Sequence, residues 1–66
     1  MAIDKVTLPV ARMIAKKTQE DLAKACKVSV STISNWEKGV TEPSISEAYT
    51  YADAVGRHID ELIFLS

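Results

Sequence analysis

The sequence predicts an all-α fold of five short helices. Three observations carry this. Apolar residues recur at three- and four-residue intervals and do not alternate. A hydroxyl residue stands at the head of each of the first four helical segments, at Thr7, Thr18, Ser29 and Ser44. Gly39 and Gly56 stand where two of those segments should stop. At 66 residues the chain is expected to form one domain, 1–66, of modest stability.

Residues 1–6 read as a loose arm, with Ile3 and Val6 able to tuck onto the body. Thr7 is the expected cap of the first helix, and Pro9 falls in the first turn, where its missing N–H does no harm. Val10, Ala11, Ile14 and Ala15 form its apolar stripe, and Lys16 and Lys17 close it with positive charge at the negative helix end. Thr18 caps the second helix, with Asp21 as the acidic partner of a capping box. Leu22, Ala23 and Cys26 are its inward stripe. After a turn at Lys27-Val28, Ser29 caps a third helix over Val30–Lys38, with Ile33 and Trp36 inward.

Val40–Pro43 is a loop. Ser44 and Glu47 make an S-x-x-E capping box for a fourth helix with Ile45, Ala48, Tyr49, Ala52 and Val55 inward. Tyr51 falls at the edge of this stripe. A fifth helix is expected over Ile59–Leu65, with Ile59, Leu62 and Ile63 inward and Phe64 and Leu65 leaving an unusually apolar tail.

Thr18–Gly39 is thus two short helices joined by a tight turn, the helix-turn-helix arrangement that sets a helix in the DNA major groove. The outer face of its third helix carries Val30, Ser31, Ser34, Asn35 and Lys38. It holds no carboxylate and no long aliphatic side chain, and suits close approach to another surface better than it suits simple solvation. The net charge of −1 conceals an asymmetry. Residues 1–40 carry seven basic and four acidic side chains, a net +3, and residues 41–66 carry one basic and five acidic, a net −4. A phosphate-facing half and a solvated or partner-facing half fit this division.

On Thr18-Gln19-Glu20-Asp21-Leu22-Ala23, Val28-Ser29, Ser31–Gly39, Pro43 and Ile59-Asp60-Glu61-Leu62-Ile63, the chain resembles the Cro and repressor class of helix-turn-helix domains, the xenobiotic-response-element family. The likeness extends over roughly Leu8–Leu65. The ending Asp60–Leu65 is similar to short regulators of Gram-positive phages and mobile elements. The resemblance implies five helices in the lambda-repressor-like arrangement, with the motif in helices two and three and a homodimer on a palindromic operator. It implies base reading by Val30, Ser31, Ser34 and Asn35, phosphate contacts from Gln19, Thr32 and Lys38, and a buried Arg12–Glu37 salt bridge. The family usually has glycine where this chain has Lys16 and Lys27, and an apolar residue where it has Lys17. These three lysines are either added phosphate contacts or solvent-exposed. The apolar Ile63, Phe64 and Leu65 exceed what so small a core needs and are assigned to the dimer interface.

Other classes are poorly served by the sequence. One cysteine permits no internal disulfide and no multi-cysteine zinc site, and no cofactor or metal is expected. The lone His58 has no nucleophile–acid set around it in the sequence, which argues against an enzyme. Met1–Thr7 contains Asp4 and Lys5 and no long apolar run, so a cytoplasmic protein without a signal peptide or a membrane partner is expected. The alternative function is an antitoxin or anti-repressor that docks a partner protein through its acidic half.

Overall fold

The computed structural model describes residues 5–64. Residues 1–4 of the arm and Leu65 of the assigned interface lie outside the described residues. Four helices follow in order: α1 (Leu8–Ile14), α2 (Gln19–Cys26), α3 (Val30–Lys38) and α4 (Ile45–Ala54). They are flanked by two short strands, β1 (Val6–Thr7) and β2 (Leu62–Ile63), and a 3-10 turn spans Ile59–Glu61.

Three of the four helix starts are capped by side chains. Thr18 Oγ1 accepts from the Asp21 N–H, and Asp21 returns the bond to the Thr18 N–H at 2.9 Å. Ser44 and Glu47 make the same reciprocal pair. Ser29 Oγ accepts from the Thr32 N–H at 3.1 Å. Each bond satisfies an N–H that the helix itself leaves unpartnered. Thr7 is extended at the head of α1, but its side chain makes no capping bond.

All four helices end in one way. A residue with positive φ donates its N–H three residues back, and the next residue donates five back, the pairing of a Schellman turn. Gly39 and Gly56 close α3 and α4 at φ 78° and 70°. Lys16 and Lys27 close α1 and α2 at φ 59° and 58°. The two lysines therefore adopt the backbone of the absent glycines. A Cβ in this region crowds the following carbonyl.

The core is built from Leu8, Ala11, Leu22, Ala23, Ile33, Trp36, Tyr51, Ala52, Val55 and Leu62. Cys26, Val28, Ile59 and Phe64 pack at its margin. Several expectations need correction. Val10 and Ile14 are exposed, because Leu8 and Ala11 are the residues of α1 that face inward. Ile45 and Tyr49 are exposed at 77% and 58%, and Tyr51 is completely buried. The inward stripe of α4 is Ala48, Tyr51, Ala52 and Val55, a rotation of the predicted one by about half a residue step at ~100° per residue.

Among the described residues there is no fifth helix. After one 3-10 turn the chain becomes extended at Leu62, and β2 pairs in parallel with β1, Val6 opposite Leu62 and Thr7 opposite Ile63. Seven residues are too few to sustain a helix without strong packing, whereas Val, Thr and Ile suit a strand. The fold is thus mostly helical with a two-stranded sheet, and not all-α with five helices. Val6 belongs to that sheet and not to a loose arm.

The left-handed turns carry a measurable strain. An L-residue there costs about 1–2 kcal/mol, and glycine gives back about 0.4–1 kcal/mol through its freer unfolded chain. Lys27→Gly is therefore expected to stabilise the domain by about 0.5–1 kcal/mol. The thermal midpoint, followed by circular dichroism, should rise by several degrees, and a fall would contradict the strain.

Candidate nucleic-acid interface

The interface candidate is built on α2 and α3, and its geometry depends on one carboxylate beneath it. Glu37 lies on the inner face of α3 and is 7% exposed, the one charged residue in the buried set. Arg12 Nε donates to its Oε2 at 2.7 Å, and Arg12 Nη2 donates to Oε1 at 3.3 Å. Gln19 Nε2, from the first residue of α2, donates to Oε1 at 3.0 Å. The Tyr51 hydroxyl, from α4, donates to Oε2 at 2.8 Å and lies 3.0 Å from the Leu8 carbonyl oxygen. Four donors thus meet the two carboxylate oxygens. Arg12 also donates through Nη1 to the Lys17 carbonyl at 3.1 Å, which ties down the strained α1–α2 turn.

The protonation states follow. Burial pushes Glu37 up, but the bonds from Arg12, Gln19 and Tyr51 outweigh it and hold the carboxyl below its usual range. The hydrogen bond to Glu37 raises Arg12 against the effect of its own burial. Burial and the adjacent carboxylate push Tyr51 well up, so it remains a neutral donor. The Cys26 thiol is raised by burial, which fits a packed side chain and not a reactive one.

Above this network lies the outer surface of α3. At about 100° per residue, Ser31, Ser34, Asn35 and Lys38 occupy the side away from Ile33 and Trp36, with Val30 and Thr32 at its two edges. Ser31 and Lys38 are exposed, Ser34, Asn35 and Thr32 are half-buried, and Val30 is 39% exposed. The Ser29 and Thr32 hydroxyls are 2.9 Å apart. An open cleft beside the α2 N-terminus is lined by Arg12, Lys17, Thr18, Gln19, Glu20 and Val30. It brings Lys17, Gln19 and Val30 together. Lys27 stands at the other end of α2, about 12 Å away along a helix of that length. Lys16 and Lys27 are exposed. Ile63 is exposed, and Phe64 is half-buried against the core.

The sequence reading did not foresee two members of the network. Gln19 was assigned to phosphate alone, yet its amide also serves Glu37. Tyr51 had no role, although Ala48, Tyr51, Ala52 and Val55 already formed a helical stripe that would have turned it inward.

Two helices joined by a short turn, one presenting a small polar surface over a fixed base, define a helix-turn-helix DNA-binding domain. The family model for the HTH_3 helix-turn-helix proteins matches residues 11–62, and the chain belongs to that family. It is a Cro/repressor-type domain, a DNA-binding transcription regulator that engages double-stranded DNA. No curated protein and no solved structure matches the chain. Among the described residues no group of three or more potential metal ligands occurs, and no helix is long and apolar enough to cross a membrane.

The depressed Glu37 carboxyl sets the acid response. A carboxyl whose folded value lies below its unfolded one, ~4.3, adds stability above that pH and loses it as the pH falls through the folded value. The Glu37 carboxyl carbon, followed by NMR, should titrate below ~4.3 and in step with acid unfolding. A midpoint above that value would show that burial, and not the donors, prevails.

Proposed function

We propose that this domain is a sequence-specific repressor of the Cro type that binds a palindromic operator as a homodimer, with α3 in the major groove. The observation that carries the reading is the outer face of α3, where small polar residues surround Asn35 and end in Lys38. An asparagine amide can pair with adenine through its acceptor and its donor, serine adapts to either, and valine can touch a thymine methyl. Val30, Ser31, Ser34 and Asn35 are the proposed base readers.

Gln19, Thr32 and Lys38 are the proposed phosphate contacts, joined by Lys16, Lys17 and Lys27. Gln19 has a second amide hydrogen to offer, and the first N–H groups of α2 favour an anion. Where Ser29 donates to Thr32, the Thr32 proton is free for a phosphate oxygen. Lys17 and Lys27, at opposite ends of α2, would engage different phosphates.

The dimer contact is proposed on the exposed apolar residues of the acidic half, Ile63 with Ile45 and Tyr49, together with Phe64 and Leu65. In such a dimer the two recognition helices stand ~34 Å apart, one turn of DNA. Docking of a different protein is the second reading, and the net −4 of residues 41–66 is the feature that favours it.

Asn35→Ala is expected to weaken operator binding by about 1–3 kcal/mol and to relax specificity at one position, whereas Lys38→Ala should weaken all sequences alike. Gel shifts on an operator from the gene's own neighbourhood and on random duplex separate the two. Equal losses on both duplexes for both variants would contradict the assigned roles. Self-association should strengthen as salt rises from 0.05 to 0.5 M (roughly a fourteen- to four-ångström Debye length), because two acidic faces repel less when screened. Sedimentation equilibrium measures this, and a monomer at every salt concentration would remove the dimer surface.

A further inference from the structure

We propose that Tyr51, buried on α4 and remote from the recognition helix in sequence, is a positioning residue for the DNA phosphate contact made by Gln19. This rests on the reading of Gln19 as a phosphate donor.

The geometry points to a relay through Glu37. A glutamate carboxylate turns easily about its last torsion, which has no sharp staggered wells. The two bonds from Arg12 engage both oxygens of Glu37, but unequally, at 2.7 and 3.3 Å. The Tyr51 hydroxyl holds Oε2 from the core side at 2.8 Å. With that oxygen fixed by two donors, Oε1 is left facing Gln19, whose Nε2 it accepts at 3.0 Å. Tyr51 is itself fully buried, so its ring is held by close packing in the core.

At the other end of the relay, Gln19 lines the open cleft with Arg12, Lys17, Thr18, Glu20 and Val30. One amide hydrogen of Gln19 is spent on Glu37, and the second remains for the cleft. Rotation of the carboxylate would release the amide to swing among rotamers, so that binding a phosphate would have to order it again. The hydroxyl of Tyr51 thereby pre-orders a contact on the surface without touching DNA. Tyrosine supplies from this α4 position both an apolar ring for the core and a donor at its tip.

The relay is tested by a cycle of Tyr51→Phe, Gln19→Ala and the double variant in the full chain. The probe is a random-sequence duplex at low salt, because a phosphate contact is independent of sequence. Affinities are taken per folded molecule, with the folded fraction read from Trp36 fluorescence. Tyr51→Phe is expected to weaken binding roughly three- to tenfold, Gln19→Ala by about as much or more, and the double variant no more than Gln19→Ala alone. In the protein without DNA, the Gln19 side-chain amide resonances should move toward free-glutamine positions in Tyr51→Phe.

An equal loss from Tyr51→Phe in the presence and absence of Gln19 would overturn the proposal, since it would mark a general structural effect. So would unmoved Gln19 amide resonances. Absence of duplex binding by the unaltered chain would overturn the DNA reading and this role with it. The amide resonances, which need no DNA, tell that failure from failure of the relay itself.

Discussion

The fold depends on how one buried negative charge is satisfied. Glu37 is placed inside by the phase of α3, on the same face as Ile33 and Trp36, and is almost wholly screened from water. A buried carboxylate is tolerated only when its oxygens are paired and hydrogen-bonded. The donors come from three other helices: Arg12 from α1, Gln19 from the start of α2 and Tyr51 from α4. Apolar contacts are non-directional, whereas these hydrogen bonds of 2.7 to 3.3 Å are directional, and the one from Gln19 joins the two helices of the motif directly. Deleting Arg12 would leave the buried Glu37 carboxylate with two neutral donors and no counter-charge, at a cost of about 3–5 kcal/mol. That is a large share of what so short a chain can have.

The ends of the helices show a different balance. Four identical turns close them, two with glycine and two with lysine. The lysines bear backbone strain that glycine would relieve. In return they add positive charge at both ends of α2, beside the surface proposed to face DNA. Strain of this kind persists where the surrounding structure determines the turn. Here the Lys17 carbonyl is held by Arg12, and the same guanidinium that neutralises Glu37 secures the first of the strained turns.

Local chemistry was legible in the sequence, and long-range pairing was not. The capping pairs Thr18–Asp21 and Ser44–Glu47 and the Ser29 cap each depend on a few adjacent residues. The choice between Tyr49 and Tyr51 was different. Ile45, Ala48, Tyr49, Ala52 and Val55 and the observed Ala48, Tyr51, Ala52 and Val55 are both sound helical stripes. What separates them is that a hydroxyl can be buried only where it finds a partner, and the partner is on α3. Val10 and Ile14 failed likewise, because Leu8 and Ala11 had already supplied the inward residues of a seven-residue helix. The expected fifth helix became β2 because β1, more than fifty residues earlier, offers its edge. Periodicity cannot see such a partner. In the interface, the small polar face of α3 could be read directly, while the tie from Gln19 to Glu37 required the packed helices.

The weak overall charge no longer argues against DNA binding once burial is considered. Arg12 and Glu37 cancel inside the protein and contribute little to the outer field. Lys16, Lys17, Lys24, Lys27 and Lys38 remain exposed on the motif half. The opposing carboxylates Glu42, Asp53 and Asp60 are exposed on the other half. A dipolar molecule of this kind is oriented by a polyanion before contact, because its acidic side is repelled as its basic side is drawn in. Total charge measures how strongly a domain is pulled toward DNA. The separation of charge decides which face arrives, and for a reader with one small recognition surface that orientation matters more than a larger net attraction.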